Sequence, residues 1–311
     1  MNTNLKIENA GLKHKRFKNS DVKHYWIMLL PVFVWLVMTQ ITPMFGIVMA
    51  FEDFNPGKGF FHSDFVGLEN FRYMFDLNDS RVALRNSLLI ALGKIIGNLT
   101  IPLLFALLLN ELKQKFLVKP IQTIVYLPYF LSWVILSGII LQIFSLTGPV
   151  NGLLKFMGHE PVLLFQNAGF FRGFIIGSDV WKNFGFNSII YLAALTGIDH
   201  TLYEAAVVDG AGRWRKLWHV TLPGIRTTVA LLGILSLGSI LDAGFDQVYN
   251  LYNPLVYSTG DIIDTYVYRA GLQGLDFSFG TAVGLLKSVV SFILITTGYW
   301  LAKKLIGYRV F

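Results

Sequence analysis

The sequence predicts an all-α, polytopic membrane protein with six transmembrane helices, and three observations carry that reading. First, 54% of the 311 residues are hydrophobic and only 14% are charged, where a soluble chain carries about 25% charged residues. The mean hydropathy is +0.54. Second, the apolar residues gather into runs long enough to cross a bilayer, whose core of about 30 Å takes about 20 helical residues. Third, lysine and arginine fall unevenly on the two sides of those runs. Backbone polar groups cannot go unpaired in lipid, so each run is read as a helix.

Residues 1–24 form a basic tail that includes Lys13, Lys15, Arg16, Lys18 and Lys23. It is expected to act as a cytoplasmic anchor against anionic lipid; with no folded reader attached, it is not read as a nucleic-acid binder. The first run, 25–50, is too long for a signal-peptide core and no small-residue cleavage site follows it, so it is read as a retained span. The others are 86–110, 121–146, 171–196, 228–250 and 277–302. With the N-terminus inside, the inner segments carry six, three, four and three Lys or Arg, against four, two and one outside. Lys94, Lys182 and Lys287 lie within spans. This bias places both termini in the cytoplasm, makes 25–311 one membrane domain, and puts the loop 197–227 inside.

Much of enzymology is excluded. There is no cysteine, hence no disulfide or thiolate metal site. The histidines (14, 24, 62, 159, 200, 219) have no metal-ligand spacing, and no phosphate-binding G-x-x-x-x-G-K, nucleophile elbow or H-E-x-x-H occurs. The chain is therefore not read as an enzyme and is assigned no cofactor or metal of its own. The outer loops of about 35, 24 and 26 residues are shorter than a domain of about 50.

The inner loop is the most structured connection. Thr201-Leu202-Tyr203-Glu204 matches a capping box, and Asp199 offers a further cap, so a helix is expected to start near Thr201. Gly210 and Gly212 allow a tight reversal. Trp214, Leu217 and Trp218 give a second helix an apolar edge, and Pro223 is expected to end it. Such a knob can transmit a rigid-body push. The alternative is an interfacial helix resting on headgroups through its two tryptophans.

Two polar stripes lie inside the membrane. Asp179, Lys182, Asn183, Phe186 and Asn187 share offsets i, i+3, i+4, i+7, i+8 in the fourth span, and Asp242, Phe245, Asp246, Tyr249 and Asn250 repeat them in the fifth. Lys182 is about 16 Å along the helix from Phe171, and Asp242 about 21 Å from Thr228. Ionisable groups at such depth cost about 2.5–3.5 kcal/mol each, so they face the bundle interior or water. One reading is a hydrated path with aromatic faces suited to sugar rings, lined by Trp181, Lys182, Asn183, Asn187, Asp242, Phe245, Asp246 and Tyr249. The other is internal pairing of Lys182 with Asp179 or Asp242. Lys94, Lys182 and Lys287 balance Asp179, Asp242 and Asp246, so net charge does not choose between them.

The loop resembles the EAA loop of ABC-importer permeases: Glu204-Ala205-Ala206, three residues including Asp209, Gly210, nine residues, Val220, one residue, Leu222-Pro223. Val220 stands where isoleucine is common, and His200 where relatives often have proline. Further stretches resemble maltose-type carbohydrate permeases, above all the poly- and oligosaccharide subgroup that includes the alginate importer. These are Pro43-Met44-Phe45-Gly46, Phe51-Glu52-Asp53-Phe54-Asn55-Pro56, Val66-Gly67-Leu68-Glu69-Asn70-Phe71, Tyr126-Leu127-Pro128-Tyr129-Phe130, Trp181-Lys182, Tyr191-Leu192-Ala193-Ala194-Leu195 and Leu251-Tyr252-Asn253-Pro254-Leu255-Val256-Tyr257. The resemblance implies a type I importer in the bacterial inner membrane: a second permease subunit, usually a different one, two ATPase subunits that bind ATP and magnesium, and an extracytoplasmic solute-binding protein. It implies that Glu204, Ala205, Ala206, Asp209, Gly210, Arg213, Leu222 and Pro223 meet the ATPase, and that the cargo is a poly- or oligosaccharide, with uronic acids or neutral. A proton-coupled secondary transporter is the competing class; the chain shows no inverted repeat to support it.

Overall fold

A computed structural model describes residues 19–60, 62–112, 114–238 and 240–306. Lys13, Lys15, Arg16 and Lys18 of the basic tail, Lys113 and Arg309 lie outside the described residues. The chain divides at Val48 into two units. The first holds α1 (Asn19–Leu36), which contains Pro31, and a π turn, Val37–Ile41. A 3-10 stretch, Thr42–Phe51, follows.

The second unit opens on a two-residue ribbon, β1 (Glu52–Asp53) against β2 (Asp64–Phe65), antiparallel with Glu52 opposite Phe65. Then come α2 (Glu69–Asp76), α3 (Asn78–Asn110), α4 (Lys115–Tyr126), α5 (Trp133–Ile143), α6 (Pro149–Phe156) and α7 (Ala168–Thr196). The loop pair α8 (His200–Val208) and α9 (Arg213–Lys216) precedes α10 (Leu222–Leu237). The chain closes with α11 (Phe245–Leu251), α12 (Tyr257–Gly260), α13 (Ile263–Val267) and α14 (Phe277–Ile306).

The six apolar runs are not six uninterrupted apolar helices. Among the described residues, four helical stretches are long and apolar enough to cross a membrane: Lys23–Phe51, Asn78–Asn110, Arg213–Leu237 and Phe277–Trp300. The third run, 121–146, is instead bent by 101°. Its first part tightens into a 3-10 turn at Leu127–Phe130, Leu131 is extended, and Ser132 starts α5 by accepting from the Ile135 amide. The fourth run lies in α7, 29 residues long, whose Asp179, Lys182, Asn183 and Asn187 take it out of the apolar set. The fifth run, 228–250, stops at Leu237 and restarts at Phe245 after Gly244, which has φ +87°.

The centre of the unit is the packing of α3 on α7. A Cβ at Gly93 would lie 2.5 Å from Ile176 Cδ1, and one at Gly97 would collide with the Val180 side chain. The Gly93-x-x-x-Gly97 face therefore lets the two helices approach closely, the small-residue device of membrane helix pairs. Asn167 caps α7 by accepting from the amides of Gly169 and Phe170. Ile90, Phe171, Ile175, Val248 and Ile262 build one buried core between α3, α7 and α11, and Ala106, Tyr191, Leu195, Ile198 and Ile225 build another beneath the inner loop. Buried Asn86 of α3 donates to the carbonyls of Tyr257, Ser258 and Asp261 and accepts from Arg172 at 2.7 Å, tying the end of the bundle together.

Candidate functional site: an inner helical loop and a polar seam between helices

The inner loop is a pair of short helices standing on the second core. α8 begins at His200, one residue before Thr201. Its N-cap is Asp199, whose side chain accepts from the Thr201 amide at 2.9 Å. That bond holds the Asp199 carboxyl below the usual aspartate range. The capping box expected on Thr201 is thus replaced by an aspartate cap two residues earlier, which leaves His200 at the first helical position.

α8 ends in a Schellman turn: the Ala211 amide reaches Ala206 O at 2.8 Å and the Gly210 amide reaches Val207 O at 3.0 Å. Gly210 sits at φ +71°, the left-handed region that glycine enters without strain. Gly212, expected to share that role, has an ordinary negative φ of −69° and caps α9.

Pro223 does not end the second helix. The chain runs from α9 through a π turn, Leu217–Thr221, straight into α10 with Pro223 in its first turn. In that first turn the missing proline N–H costs little.

Two contacts seat the loop. Tyr203 OH meets Thr221 Oγ1 at 3.0 Å, and Gly224 lies so close to Ile198 that a Cβ would sit 2.8 Å from its Cδ1. Tyr203, Val220 and Leu222 pack on the core below. Glu204, Ala205, Asp209, Gly210, Arg213 and Pro223 are exposed, and Ala206 and Leu222 are half-buried. Val208 at 87% and Trp214 at 75% exposure leave a large apolar surface uncovered.

The polar residues of the fourth span part company. Asp179 and Asn187 face α3: Lys94 Nζ lies 3.3 Å from Asp179 Oδ1, Asn98 donates to Asp179 Oδ2 at 2.9 Å, and Asn187 donates to Asn98 at 3.3 Å. Lys94 is buried and also donates to Ala243 O at 2.7 Å and Gln247 Oε1 at 2.5 Å, both at the broken fifth span. Gln247 in turn donates to Ile175 O and Ser178 Oγ of α7. One lysine thus ties α3 to α7 and to the start of α11. Sequence reading counted Lys94 only in a charge balance. Its signal was the pair of glycines, 93 and 97, that brings its helix against α7.

Lys182 pairs with neither Asp179 nor Asp242, so the internal-pairing alternative does not hold for it. It is buried, donates to Tyr129 O at 2.9 Å, and places its ammonium 5.3 Å from the Tyr129 ring and 5.6 Å from that of Trp133. The 3-10 turn at the bend leaves carbonyls without intrahelical donors, and a lysine satisfies one of them. Tyr129 stacks on Phe186 at 3.9 Å. Trp181, half-exposed, lines a separate groove with Phe170 and Phe174. Asn183 is half-buried. Lys287 is taken by Asp264 at 2.7 Å, a partner outside the expected balance.

The fifth-span stripe is not one helical face. Asp242 precedes the break, where its carboxylate accepts from the Gly244 amide at 3.2 Å. Beyond it Phe245 and Tyr249 stack at 5.2 Å, and Tyr268 lies edge-on to both at 5.5 and 5.1 Å. Tyr252 extends the platform, 6.0 Å from Tyr249. Burial pushes the Tyr252 hydroxyl up to about 12. Asp242, Asp246 and Tyr249 are exposed, and Asn250 donates back to the Asp246 carbonyl. The nearby Arg269 is held by Asp261 at 2.6 Å and lies over the Tyr257 ring.

Known proteins share this fold. Residues 98–307 match the family model described as the binding-protein-dependent transport system inner membrane component. Protein LplB of Bacillus subtilis is 41% identical over 91% of this chain and 89% of its own. The polygalacturonan/rhamnogalacturonan transport system permease protein YteP of the same organism is 40% identical over 94% and 92%. Among solved structures, a chain of the bacterial alginate ABC transporter, crystallised with an alginate pentasaccharide-bound periplasmic protein, superposes with a TM-score of 0.85. It is 36% identical, and the match covers 94% of this chain and 99% of that one. The chain therefore belongs to the family of binding-protein-dependent transport inner membrane components, the permeases of ABC importers, and has their type I fold.

Proposed function

We propose that this chain is one of two permease subunits of a binding-protein-dependent ABC importer that carries oligosaccharides of acidic polysaccharides, uronic acids included, into the cytoplasm. The observation that carries a saccharide cargo is the platform of Phe245, Tyr249 and Tyr268, bordered by the carboxylates of Asp242 and Asp246. Aromatic faces take the C–H face of a sugar ring, and flanking carboxylates accept from its hydroxyls. An acidic cargo is supported by the cargoes of similar proteins, a polygalacturonan/rhamnogalacturonan permease and an alginate transporter.

In this reading the chain crosses the bacterial inner membrane six times. The crossings are the 23–51 stretch, α3, the bent α4–α5 pair, α7, α10 with α11, and α14, with both termini cytoplasmic. The exposed ends of α8 and α9, with Glu204, Ala205, Ala206, Asp209, Gly210, Arg213, Leu222 and Pro223, dock on an ATPase subunit. That subunit and its twin bind ATP and magnesium. A second, homologous permease completes the path, and a solute-binding protein delivers the sugar outside. ATP binding then shifts the population between inward-open and outward-open states, and a loaded solute-binding protein favours the latter.

A second reading, a neutral oligosaccharide, is favoured by charge. Asp242 and Asp246 are exposed, while Lys94, Lys182 and Arg269 are each engaged. Uptake by the complex reconstituted in vesicles tests both. Accumulation of a uronic-acid trisaccharide over a neutral one, dependent on ATP and insensitive to protonophore, supports the acidic reading; the reverse preference supports the neutral one. Abolition by protonophore refutes ATP-driven import. Tyr249→Ala is expected to lower uptake several-fold, and Glu204→Lys to leave ATP hydrolysis running without transport.

A further inference from the structure

We propose that Lys94 is a positioning residue for the cargo: its buried ammonium fixes the aromatic platform of Phe245 and Tyr249 without itself meeting sugar. The proposal rests on the reading of that platform as the saccharide contact.

The platform stands on a short support. α11 has seven residues, and a helix of two turns owes its place to tertiary packing and not to its own propensity. Its N-cap, Gly244, has no side chain to bond the first amides. Gln247, Val248 and Leu251 are buried on one face, while Asp246 and Tyr249 are exposed and Phe245 half-buried on the other. Burial of Val248 and Leu251 holds the helix to the core, but apolar attraction has no direction. Where the two rings point is therefore set by polar bonds.

Lys94 supplies them. An ammonium has three donors, and three acceptors surround this one: Ala243 O at 2.7 Å, Gln247 Oε1 at 2.5 Å and Asp179 Oδ1 at 3.3 Å. The first two bracket Phe245, two residues before it and two after. The third belongs to α7 and brings the counter-charge, with Asn98 on its other oxygen at 2.9 Å. Gln247 gives its amide to Ile175 O at 2.8 Å and Ser178 Oγ at 2.9 Å, which turns its oxygen to the lysine. Phe245 is thus pinned from both sides to α3 and α7.

Gly244 belongs to the same device. It sits at φ +87°, and a Cβ there would lie 2.7 Å from Lys94 Nζ, so glycine alone admits the ammonium. Lys94 is 6% exposed and its three donors are engaged, which leaves none for a sugar hydroxyl or carboxylate. Its effect on cargo passes through the rings, whose geometry a binding site holds to within about 0.5 Å.

The test measures ATP-driven oligosaccharide uptake per assembled complex in vesicles, for Lys94→Met alone and combined with Tyr249→Ala. Lys94→Met is expected to lower uptake at least threefold in the parent. In the Tyr249→Ala complex, whose platform is already broken, it should lower the residual uptake by less than 1.5-fold. An equal fold-loss in both backgrounds would make Lys94 a purely structural tie, and parental uptake in Lys94→Met would remove any role; either overturns the proposal while the platform stands. Parental uptake in Tyr249→Ala would instead sink the platform reading, and the proposal with it. Should Lys94→Met fail to assemble, Gln247→Met releases one side of the bracket at similar volume and is judged by the same comparison.

Discussion

Replacing Lys94 by methionine removes a cation while keeping the volume of its stem, and the structure sets the cost. The ammonium lies 3.3 Å from Asp179 Oδ1, which corresponds to about 5 kcal/mol of attraction at an effective dielectric of about 20. Desolvation of both charges offsets much of it, so the pair itself is worth less than that figure. Breaking it is another matter: Asp179 keeps Asn98 but loses its counter-charge, and Ala243 O and Gln247 Oε1 lose a donor. Losing one partner of a buried pair costs about 3–5 kcal/mol, and Lys94→Met is expected near 4 kcal/mol. At about 2–4 °C per kcal/mol for a chain of this size, the melting temperature of the complex should fall by about 8–16 °C. Fluorescence-detected size-exclusion chromatography after heating reads it. Asp179→Asn alone is expected to cost about 3 kcal/mol, and the double variant about as much as Lys94→Met, a coupling of about 3 kcal/mol. A melting temperature within about 2 °C of the parent for Lys94→Met, or strict additivity in the double variant, would refute the account.

Lys182→Met should lower the yield of detergent-extracted complex and reduce uptake of acidic and neutral oligosaccharides alike, because it leaves Tyr129 O unpaired at a helix bend, about 1–3 kcal/mol; selective loss of acidic uptake would instead make Lys182 a substrate contact. Gly210→Val forces a β-branched residue to φ +71°, a strain of about 1–2 kcal/mol with no steric clash, and Gly210→Asn should recover much of the loss. Transport per ATP hydrolysed in the assembled complex checks both variants, and equal transport in valine, asparagine and parent complexes would count against the turn. Since the carboxyl of Asp199 is held below its ordinary range by the Thr201 amide, its contribution is present above that range and lost as pH falls through the lowered value. Hydrogen exchange of the α8 amides should accelerate over that acid window in the parent, and be fast and free of that transition in Asp199→Ala.

The helical class, the helix pair of the loop 197–227 and the left-handed turn at Gly210 were legible because each has a local cause: a run of apolar residues, a cap beside a helix, a glycine at a C-terminus. The breaks in the third and fifth runs were not, because an average over 20 residues hides a local interruption: an extended residue in one, and a short non-helical stretch closing on a left-handed glycine in the other. Leu131 and Gly244 carry those breaks, and Ser132 and the Asp242-Ala243-Gly244 run are the turn chemistry that marks them. Pro223 misled for a related reason. Proline stops a helix from inside but is tolerated in a first turn, and the π turn before it makes a new first turn mid-helix. Pairing was the least legible feature. Helical offsets put Lys182 and Asp179 on neighbouring faces, but which lysine meets Asp179 is decided by the packing of α3 on α7 through Gly93 and Gly97.

The break in the fifth span gives α10 two distinct ends. At the inner end, Gly224 is pressed on Ile198 and Thr221 meets Tyr203, so α10 and the loop helices form one body. At the end away from the loop, 16 residues and about 24 Å along the helix, the chain leaves the helix and is caught at Ala243 O by Lys94. A continuous helix would carry any displacement of the loop directly into Phe245 and Tyr249. The bent chain at Gly244 instead separates α10 from α11, which is fastened through Gln247 to α7 and Lys94. Lys94 is therefore the residue on which the separation depends. It satisfies the carbonyl that the break exposes, and its charge is balanced on α7 and not on α10. In the proposed importer a push at the loop would reach α10 first, and the break at Gly244 would keep it from passing straight into the aromatic platform.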